Sequence, residues 1–310
     1  MTSETVHILM AVYNGGDHLK EQLDSFETQT HQNWVLIASD DGSRDNSAAH
    51  LERFAKRHPR TVRLSGPQNG GAANFLHLIR HLGHMEPAPR WVSFSDQDDV
   101  WLPQKIARAQ EWLASVDASK PALYCSRSLI ADQNLANPKL SVARPKSPGF
   151  RNALVQNIAA GNTIVLNPAA TDLVLRAAAH VSEVVVHDWW IYQLITGAGG
   201  VVLHDDEPGL MYRQHGANQI GANEGWKARF RRIGKLLRGD FRAWNTINIA
   251  ALAATAEELT AENKAVLNGF AHARQLPLIQ RLRALRKLQL YRQSGAGTLA
   301  LWVAAMLRRI

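Results

Sequence analysis

The sequence predicts an α/β chain in which a mostly parallel sheet lies between helical layers and a helical segment follows. Three observations carry this. Apolar runs rich in β-branched and aromatic residues alternate with amphipathic helical patterns as far as about residue 215. From about residue 224, helical patterns succeed one another without a strand between them. The charge changes at the same place: residues 1–225 hold 19 Lys and Arg against 23 Asp and Glu, whereas residues 226–310 hold 16 against 4.

The elements follow in order. "VHILMAVY" (6–13), "WVLIASD" (34–40), "TVRLSG" (61–66), "WVSFSD" (91–96), "ALYCSRSLIA" (122–131) and "TIVLN" (163–167) read as strands. Between them, "HLKEQLDSFETQ" sets Leu19, Leu23 and Phe26 on one helical face, and "AAHLERFAKRH" does the same with Leu51, Phe54 and Ala55. "NFLHLIRHL" and "LPQKIARAQEWL" continue the pattern. Strand–helix alternation implies right-handed crossovers and a three-layer arrangement. "QNLANPKLSVARPKSPG" (133–149) is expected to be a mobile loop near the site. "WKARFRRIGKLLRGDFRAW", "INIAALAATAEELTAENKAVLNGF" and "LIQRLRALRKLQLYR" read as helices. The expected division is a sheet-bearing domain at 1–222 and a basic helical segment at 223–310.

Composition narrows the classes. A chain of 310 residues with 45% apolar residues makes one large domain or two ordinary ones. The single cysteine, Cys125, excludes an internal disulfide framework and zinc sites built from several thiolates. "MTSETVHILMAVYNGG" has no basic n-region, and no run approaches the roughly 18 apolar residues of a spanning helix. The expectation is a soluble, cytoplasmic protein. The basic tail suggests an anionic surface, nucleic acid or phospholipid. Aromatic residues are sparse around its cations, which argues against nucleic acid.

In a sheet of this kind, ligands bind at the carboxyl ends of the strands. "NGG" (14–16), "DDGSRD" (40–45) and "DQDD" (96–99) all fall there. Asp96, Asp98 and Asp99 repel one another unless a hard divalent cation lies between them, and D-x-D spacing in extended chain points Asp96 and Asp98 the same way. Asp99 is as readily a helix cap. In "SDDGSRDNS", Gly42 permits a tight turn, Asp45 or Asn46 can cap the next helix, and a carboxylate there can accept from a uracil or thymine N3–H. "YNGG" and "NGGAAN" offer backbone N–H groups to phosphate. No G-x-G-x-x-G and no G-x-x-x-x-G-K-[ST] occurs.

"VVVHDWWIYQL" sets Asp188 before an aromatic helix, as an N-cap or as a partly desolvated base. Trp189 and Trp190 fit either sugar stacking or the core. "MYRQHG" puts Arg213 and His215 on one face of a strand, where they could hold diphosphate or close a metal shell.

Taken together, "AVYNGGDHLKEQLDS", "SDDGSRDNS", "QNGGAANF", "SFSDQDDVWLPQKI", "AAGNTIVLN", "HDWWIYQLI" and "YRQHGANQIGA" resemble family 2 inverting glycosyltransferases of the GT-A (Rossmann-like) fold. The likeness covers residues 5–222 and is greatest to bacterial rhamnosyltransferase-type members of surface polysaccharide assembly, including O-antigen. It implies a dTDP- or UDP-linked sugar donor, Mg²⁺ or Mn²⁺, and a saccharide or lipid-linked saccharide acceptor. It implies that Ala11, Val12 and Tyr13 frame the base, that Asp41 contacts the pyrimidine, and that Asn69 and Asn74 lie near ribose and diphosphate. It further implies Asp96 and Gln97 at the donor, Arg213 at the diphosphate, Asp98 and His215 at the metal, and Asp188 as catalytic base. Asn162, Trp189 and Trp190 fall on the acceptor side. Asn162 stands where the family commonly has Cys, and His187 where many members have Glu. The alternatives are a nucleotidyltransferase-like enzyme and a non-catalytic nucleotide-sugar-binding protein. The basic helical tail would serve as a membrane contact on the inner face of the cell membrane, a lid, or a homodimer surface.

Overall fold

The computed structural model describes residues 4–214 and 240–310. Among these, nine strands form one sheet: β1 (Val6–Val12), β2 (Trp34–Asp40), β3 (Thr61–Ser65), β4 (Trp91–Ser95), β5 (Val100–Trp101), β6 (Ala122–Ala131), β7 (Lys139–Leu140), β8 (Val165–Leu166) and β9 (Val201–Arg213). The order is β3-β2-β1-β4-β8-β6-β9-β5, with β7 paired to β6. β1 to β4 are parallel and joined by α1 (Gly16–Glu27), α2 (Ser47–Arg57) and α3 (Gly70–Leu82).

Strand β1 is apolar along nearly its whole length because both its faces are covered. Leu9, with Ile37 and Phe94 of its neighbours, faces a core shared with α3, α6 (Pro168–Ala178) and α7 (His187–Gly197). Ile8, Met10 and Leu36 face the opposite core, shared with α1, α2 and α4 (Lys105–Ala114). Val12 pairs with Asp40, and Met10 with Ser95, so the ends of β1, β2 and β4 open on one edge.

Beyond β4 the strict alternation stops and the sheet becomes mixed. β8 is antiparallel to both β4 and β6, while β6 runs parallel to β9. The expected strand at 163–167 shrinks to Val165–Leu166 because Gly161–Thr163 forms a 3-10 turn. β9 extends over 13 residues, of which the sequence reading took only the end. Its "HDDEP" stretch breaks the apolar pattern where the pairing with β6 shifts register. The 133–149 loop is pinned rather than loose: Arg127 Nε donates to Ser141 O at 2.7 Å, and the Lys146 N–H to Gln293 Oε1 at 2.9 Å.

The tail forms α8 (Asp240–Ala254), α9 (Ala261–Gln275), α10 (Leu278–Lys287) and α11 (Gly295–Met306). The single helix expected over 247–270 is broken by a 3-10 turn at Ala256–Glu258, after which Thr260 caps α9 by accepting from the Asn263 N–H. A third core unites Phe150, Leu154 and Trp189 with Phe241, Leu252, Phe270 and Leu301. The tail therefore packs onto α7 and the short α5 (Phe150–Ala153). No helix among the described residues is long and apolar enough to cross a membrane. The expected 222/223 boundary, His215 and the cations from Lys227 to Arg238 lie outside the described residues.

Candidate active site

Two polar turns after β1 and β2 are knitted together by side chains that the turns themselves supply. The N–H groups of Asn14, Gly15 and Gly16 donate to Ser43 Oγ (2.9 Å), Ser47 Oγ (2.8 Å) and Asp45 Oδ2 (2.8 Å). Asn14 Oδ1 accepts from the Arg44 N–H at 2.8 Å. Gly16 sits at φ +54° and Gly42 at φ +91°, where a Cβ is strained. Asp45 thus braces the neighbouring turn as well as its own, and these hydrogen bonds hold its carboxyl below the usual range despite partial desolvation. The "DQDD" turn is tied in by Gln97, whose Oε1 accepts from the Tyr13 N–H and whose Nε2 donates to Tyr13 O. The Tyr13 ring itself is 55% exposed above this edge.

Three carboxylates converge below it. Burial first, then the charges of Asp98 and Asp188, push Asp96 up to about 7. Burial likewise raises Asp188 to about 6, against N–H donation from Trp189 (2.6 Å) and Gly161 (3.0 Å) and a hydrogen bond from Asn157. A carboxylate with that proton affinity is a better base at neutral pH than an ordinary aspartate. Asp188 lies in the first turn of α7 rather than at its cap, which is Val186.

Asp99 has a different place. It is fully buried, accepts from Asn162 Nδ2 at 2.6 Å and from the Arg213 N–H at 3.3 Å, and shares its pocket with buried Lys105. Burial, with Asp96 and Asp98 adding repulsion, raises its carboxyl well above the usual range. Lys105 donates to Ser93 Oγ at 3.1 Å and lies 3.3 Å from the Trp101 ring centre. Asp99 and Asn162 are therefore internal braces of the acidic turn.

Arg213 is also internal, at 2% exposure. Its Nε donates to Asp98 O at 3.0 Å, its Nη1 to Gln133 O at 2.5 Å, and its Nη2 pairs with Glu21. Engaged on all sides, its guanidinium holds the acidic turn rather than facing a diphosphate. Both oxygens of Asp41 accept backbone N–H groups, Gln68 at 2.6 Å and Gly70 at 2.9 Å, so this carboxylate shapes the turn opening α3. Asp40 accepts from the Ser43 N–H through Oδ1, and its Oδ2 has no partner among the described residues. Asn74 is buried and donates to Ser39 O at 2.9 Å, whereas Asn69 is exposed before α3. Ala11 and Val12 end β1, Ala11 half-buried and Val12 buried.

The tryptophans are core. Trp190 is fully buried, and Trp189 donates to Ala153 O at 2.6 Å and stacks against Phe241, so neither offers a ring face to a saccharide. His187 lies flat on Phe75, ring centres 3.7 Å apart, and burial drives it down to about 3. It is a neutral packing residue and adds no charge to Asp188. A Cβ on Gly161 would come within 2.6 Å of His187 Nε2 and 3.3 Å of the Asp188 Cβ. Sequence reasoning missed Glu21, Gln133, Asn157 and Gly161. Glu21 and Gly161 lay inside the motifs "AVYNGGDHLKEQLDS" and "AAGNTIVLN", and Gln133 opened the loop at 133–149, whereas Asn157 had no signal.

Among the described residues no group of three or more His, Cys, Asp or Glu is arranged to hold a metal. Asp96 and Asp98 nonetheless fit a cation that also takes phosphate oxygens, since such ions need only one or two carboxylates. Burial first, and then repulsion from Asp98 and Asp188, raises Asp96, and a divalent charge would relieve the repulsion.

Residues 7–157 match the sequence profile described as Glycosyl transferase family 2. The chain is 29% identical over 232 residues to the dTDP-rhamnosyl transferase RfbG of Shigella flexneri, covering 73% of this chain and 78% of that protein. It is 25% identical over 166 residues to TuaG of Bacillus subtilis, named for teichuronic acid biosynthesis, covering 54% and 63%. It spans 20% of the length of a Rickettsia conorii glycosyltransferase to which it is 30% identical over 128 residues. Among solved structures, S. aureus TarS 1–349 superposes with a TM-score of 0.58 at 11% identity, over 98% of this chain and 89% of that one. The same fragment with UDP-GlcNAc gives 0.56 at 12%, over 92% and 80%. These structures share the fold.

Proposed function

We propose that this chain, whose residues 7–157 match glycosyl transferase family 2, is a glycosyltransferase of the GT-A fold that carries out one specific reaction. It transfers a sugar, L-rhamnose first among candidates, from a dTDP- or UDP-linked donor to a saccharide acceptor, lipid-linked in the cell, with inversion. Residues 1–222 form the catalytic domain and 223–310 the basic helical segment. The rhamnose reading rests on the likeness to RfbG, the product being a surface polysaccharide such as O-antigen.

The observation that carries the mechanism is the raised proton affinity of Asp188 beside Asp96. Asp188 takes the proton of an acceptor hydroxyl. The hydroxyl oxygen attacks the anomeric carbon from the face opposite the diphosphate, and the bond to the diphosphate oxygen breaks. One displacement needs no covalent nucleophile, in contrast to a retaining hydrolase with two close carboxylates. The N–H groups of Gly161 and Trp189 hold the Asp188 carboxylate in one orientation through the transfer. Asp98, with Asp96 behind it, would hold Mg²⁺ or Mn²⁺, which when bound supplies charge neutralisation for the departing diphosphate. Tyr13 and the end of β1 frame the base, with Asp40 as the carboxylate open to a pyrimidine N3–H in place of Asp41.

The test is a panel of nucleotide-sugars offered with Mg²⁺ or Mn²⁺ and scored by donor consumption. Consumption confined to thymidine or uridine diphosphate sugars, and abolished by Asp98→Ala, is the expected result. Inertness toward every donor overturns the reading. Release of pyrophosphate from a nucleoside triphosphate would indicate a nucleotidyltransferase.

A further inference from the structure

Residues 271–310 contain eight Lys and Arg and no Asp or Glu. Two of these cations are spent inside the fold. Arg281 donates to Ala305 O at 2.7 Å and to Leu276 O at 2.8 Å, and Arg274 donates to Ile310 O at 3.0 Å. The Arg281–Ala305 bond ties the start of α10 to the end of α11, and the Arg274–Ile310 bond ties α9 to the residues after α11. Leu285 and Leu301 lie together further along, so the two helices form an antiparallel hairpin. Arg283, Arg286, Lys287, Arg308 and Arg309 remain exposed on it.

The same hairpin exposes large apolar side chains. Leu278 and Ile279 stand at the start of α10; Leu299, Met306 and Leu307 stand on and just after α11. Five of the eight exposed large hydrophobics among the described residues are here, which singles this surface out from scattered exposure elsewhere. Ile279, Arg283 and Arg286 follow the i, i+4, i+7 spacing of one face of α10, and Leu299 and Met306 share a face of α11. The Arg281–Ala305 bond brings the end of α10 that carries Leu278 and Ile279 to the end of α11 that carries Met306 and Leu307. An ordinary solvated face mixes both signs of charge; this one carries cations, apolar groups and a few neutral polar residues such as Gln280 and Gln289, and no Asp or Glu.

We propose that the outer face of the α10–α11 hairpin docks on an anionic phospholipid bilayer, with the leucines, isoleucine and methionine entering the headgroup boundary and the arginines meeting phosphate. Apolar insertion and cation–anion attraction are the two terms that hold an amphipathic surface on such a leaflet. Self-pairing is disfavoured, because a two-fold interface through this face sets cations opposite cations with no carboxylate to meet them. Nucleic acid would leave the apolar side chains without a partner. The inference does not depend on the sugar transferred or on Asp188.

Vesicle co-sedimentation of the full chain tests it. Phosphatidylcholine vesicles are compared with vesicles holding about 30% phosphatidylglycerol, enough for a negative surface potential. Binding is expected to the anionic vesicles only. Two variants separate the terms: Ile279→Ser/Leu299→Ser/Met306→Ser, and Arg283→Glu/Arg286→Glu/Arg308→Glu/Arg309→Glu. All seven residues are exposed, so both variants should melt as the parent does. The charge-reversed variant should lose roughly a hundredfold in partitioning and the apolar variant about tenfold, with donor hydrolysis in solution unchanged. Absence of vesicle binding, equal binding to both vesicle types, or parental binding by both variants overturns the proposal. So does loss of binding only when the six cations from Lys227 to Arg238 are neutralised. A dimer in solution that the apolar variant dissolves would assign the face to a second copy instead.

Discussion

The side chain of Gln97 and the backbone of Tyr13 exchange two hydrogen bonds, the Tyr13 N–H to Oε1 at 2.7 Å and Nε2 to Tyr13 O at 2.9 Å. The acidic turn after β4 is thereby fastened to the end of β1, eighty-four residues away in sequence. Gln97→Glu keeps an acceptor for the N–H but has no donor for the carbonyl, and adds a charge beside Asp96 and Asp98. A loss of about 1–2 kcal/mol in stability is expected, with a raised KM for the donor. Denaturant unfolding and donor titration check it.

Asp188→Asn removes the proposed base and leaves the nucleotide turns intact. Transfer should fall by roughly a hundredfold to ten-thousandfold with donor affinity unchanged, measured by single-turnover kinetics and calorimetry. In the parent, Asp188 acts only when deprotonated. With its carboxyl at about 6, the rate should rise with pH through that value and level off above it. A flat profile between pH 5 and 8 would contradict the assignment.

Gly161→Ala forces a methyl to within 2.6 Å of His187 Nε2 and 3.3 Å of the Asp188 Cβ. The histidine is locked against Phe75 and cannot yield. Overpacking should cost about 1–3 kcal/mol, and the shifted carboxylate should depress kcat more than it alters KM. Thermal unfolding and steady-state kinetics together separate the two effects.

His187 gives an acid-sensitive term. Burial holds it at about 3 in the folded chain, below the ordinary value of 6.5, so below pH 6.5 the unfolded chain binds a proton that the folded chain refuses. Stability therefore falls as pH drops from about 6.5 toward 3, by up to about 3 kcal/mol near pH 4. His187→Phe keeps an aromatic ring against Phe75 and should flatten that part of the curve. Denaturant midpoints at pH 4, 5 and 7 decide it.

Much of the parallel half was legible in the sequence. β1, β2 and β4 are largely buried runs because both faces of each central strand are covered, and period and burial then agree, whereas the edge strand β3 has no buried residue. The later strands were not. β9 carries His204, Asp205, Asp206 and Glu207 in a stretch where its register shifts, so it shows no clean alternation. The motifs after β1, β2 and β4 fall on one sheet edge, but motif position does not tell which way a side chain faces. Asp98 and Asp99 are adjacent, yet Asp99 turns inward to Asn162 while Asp98 adds its charge to the cluster with Asp96 and Asp188.

The sequence by itself determined where β1 to β4 end and the turns that follow them, since local apolar period and glycine-bearing turns are properties of a few neighbouring residues. It also determined the cationic bias of the tail. Only the tertiary structure decided which polar residues stay open to a ligand. Asp41, Asn162, Arg213 and Trp189 each have chemistry suited to a substrate, and each is consumed by partners elsewhere in the chain, while Trp190 is sealed in the core. The reason is physical: a buried polar group must find a hydrogen-bond partner, and long-range packing alone determines whether that partner is protein or substrate.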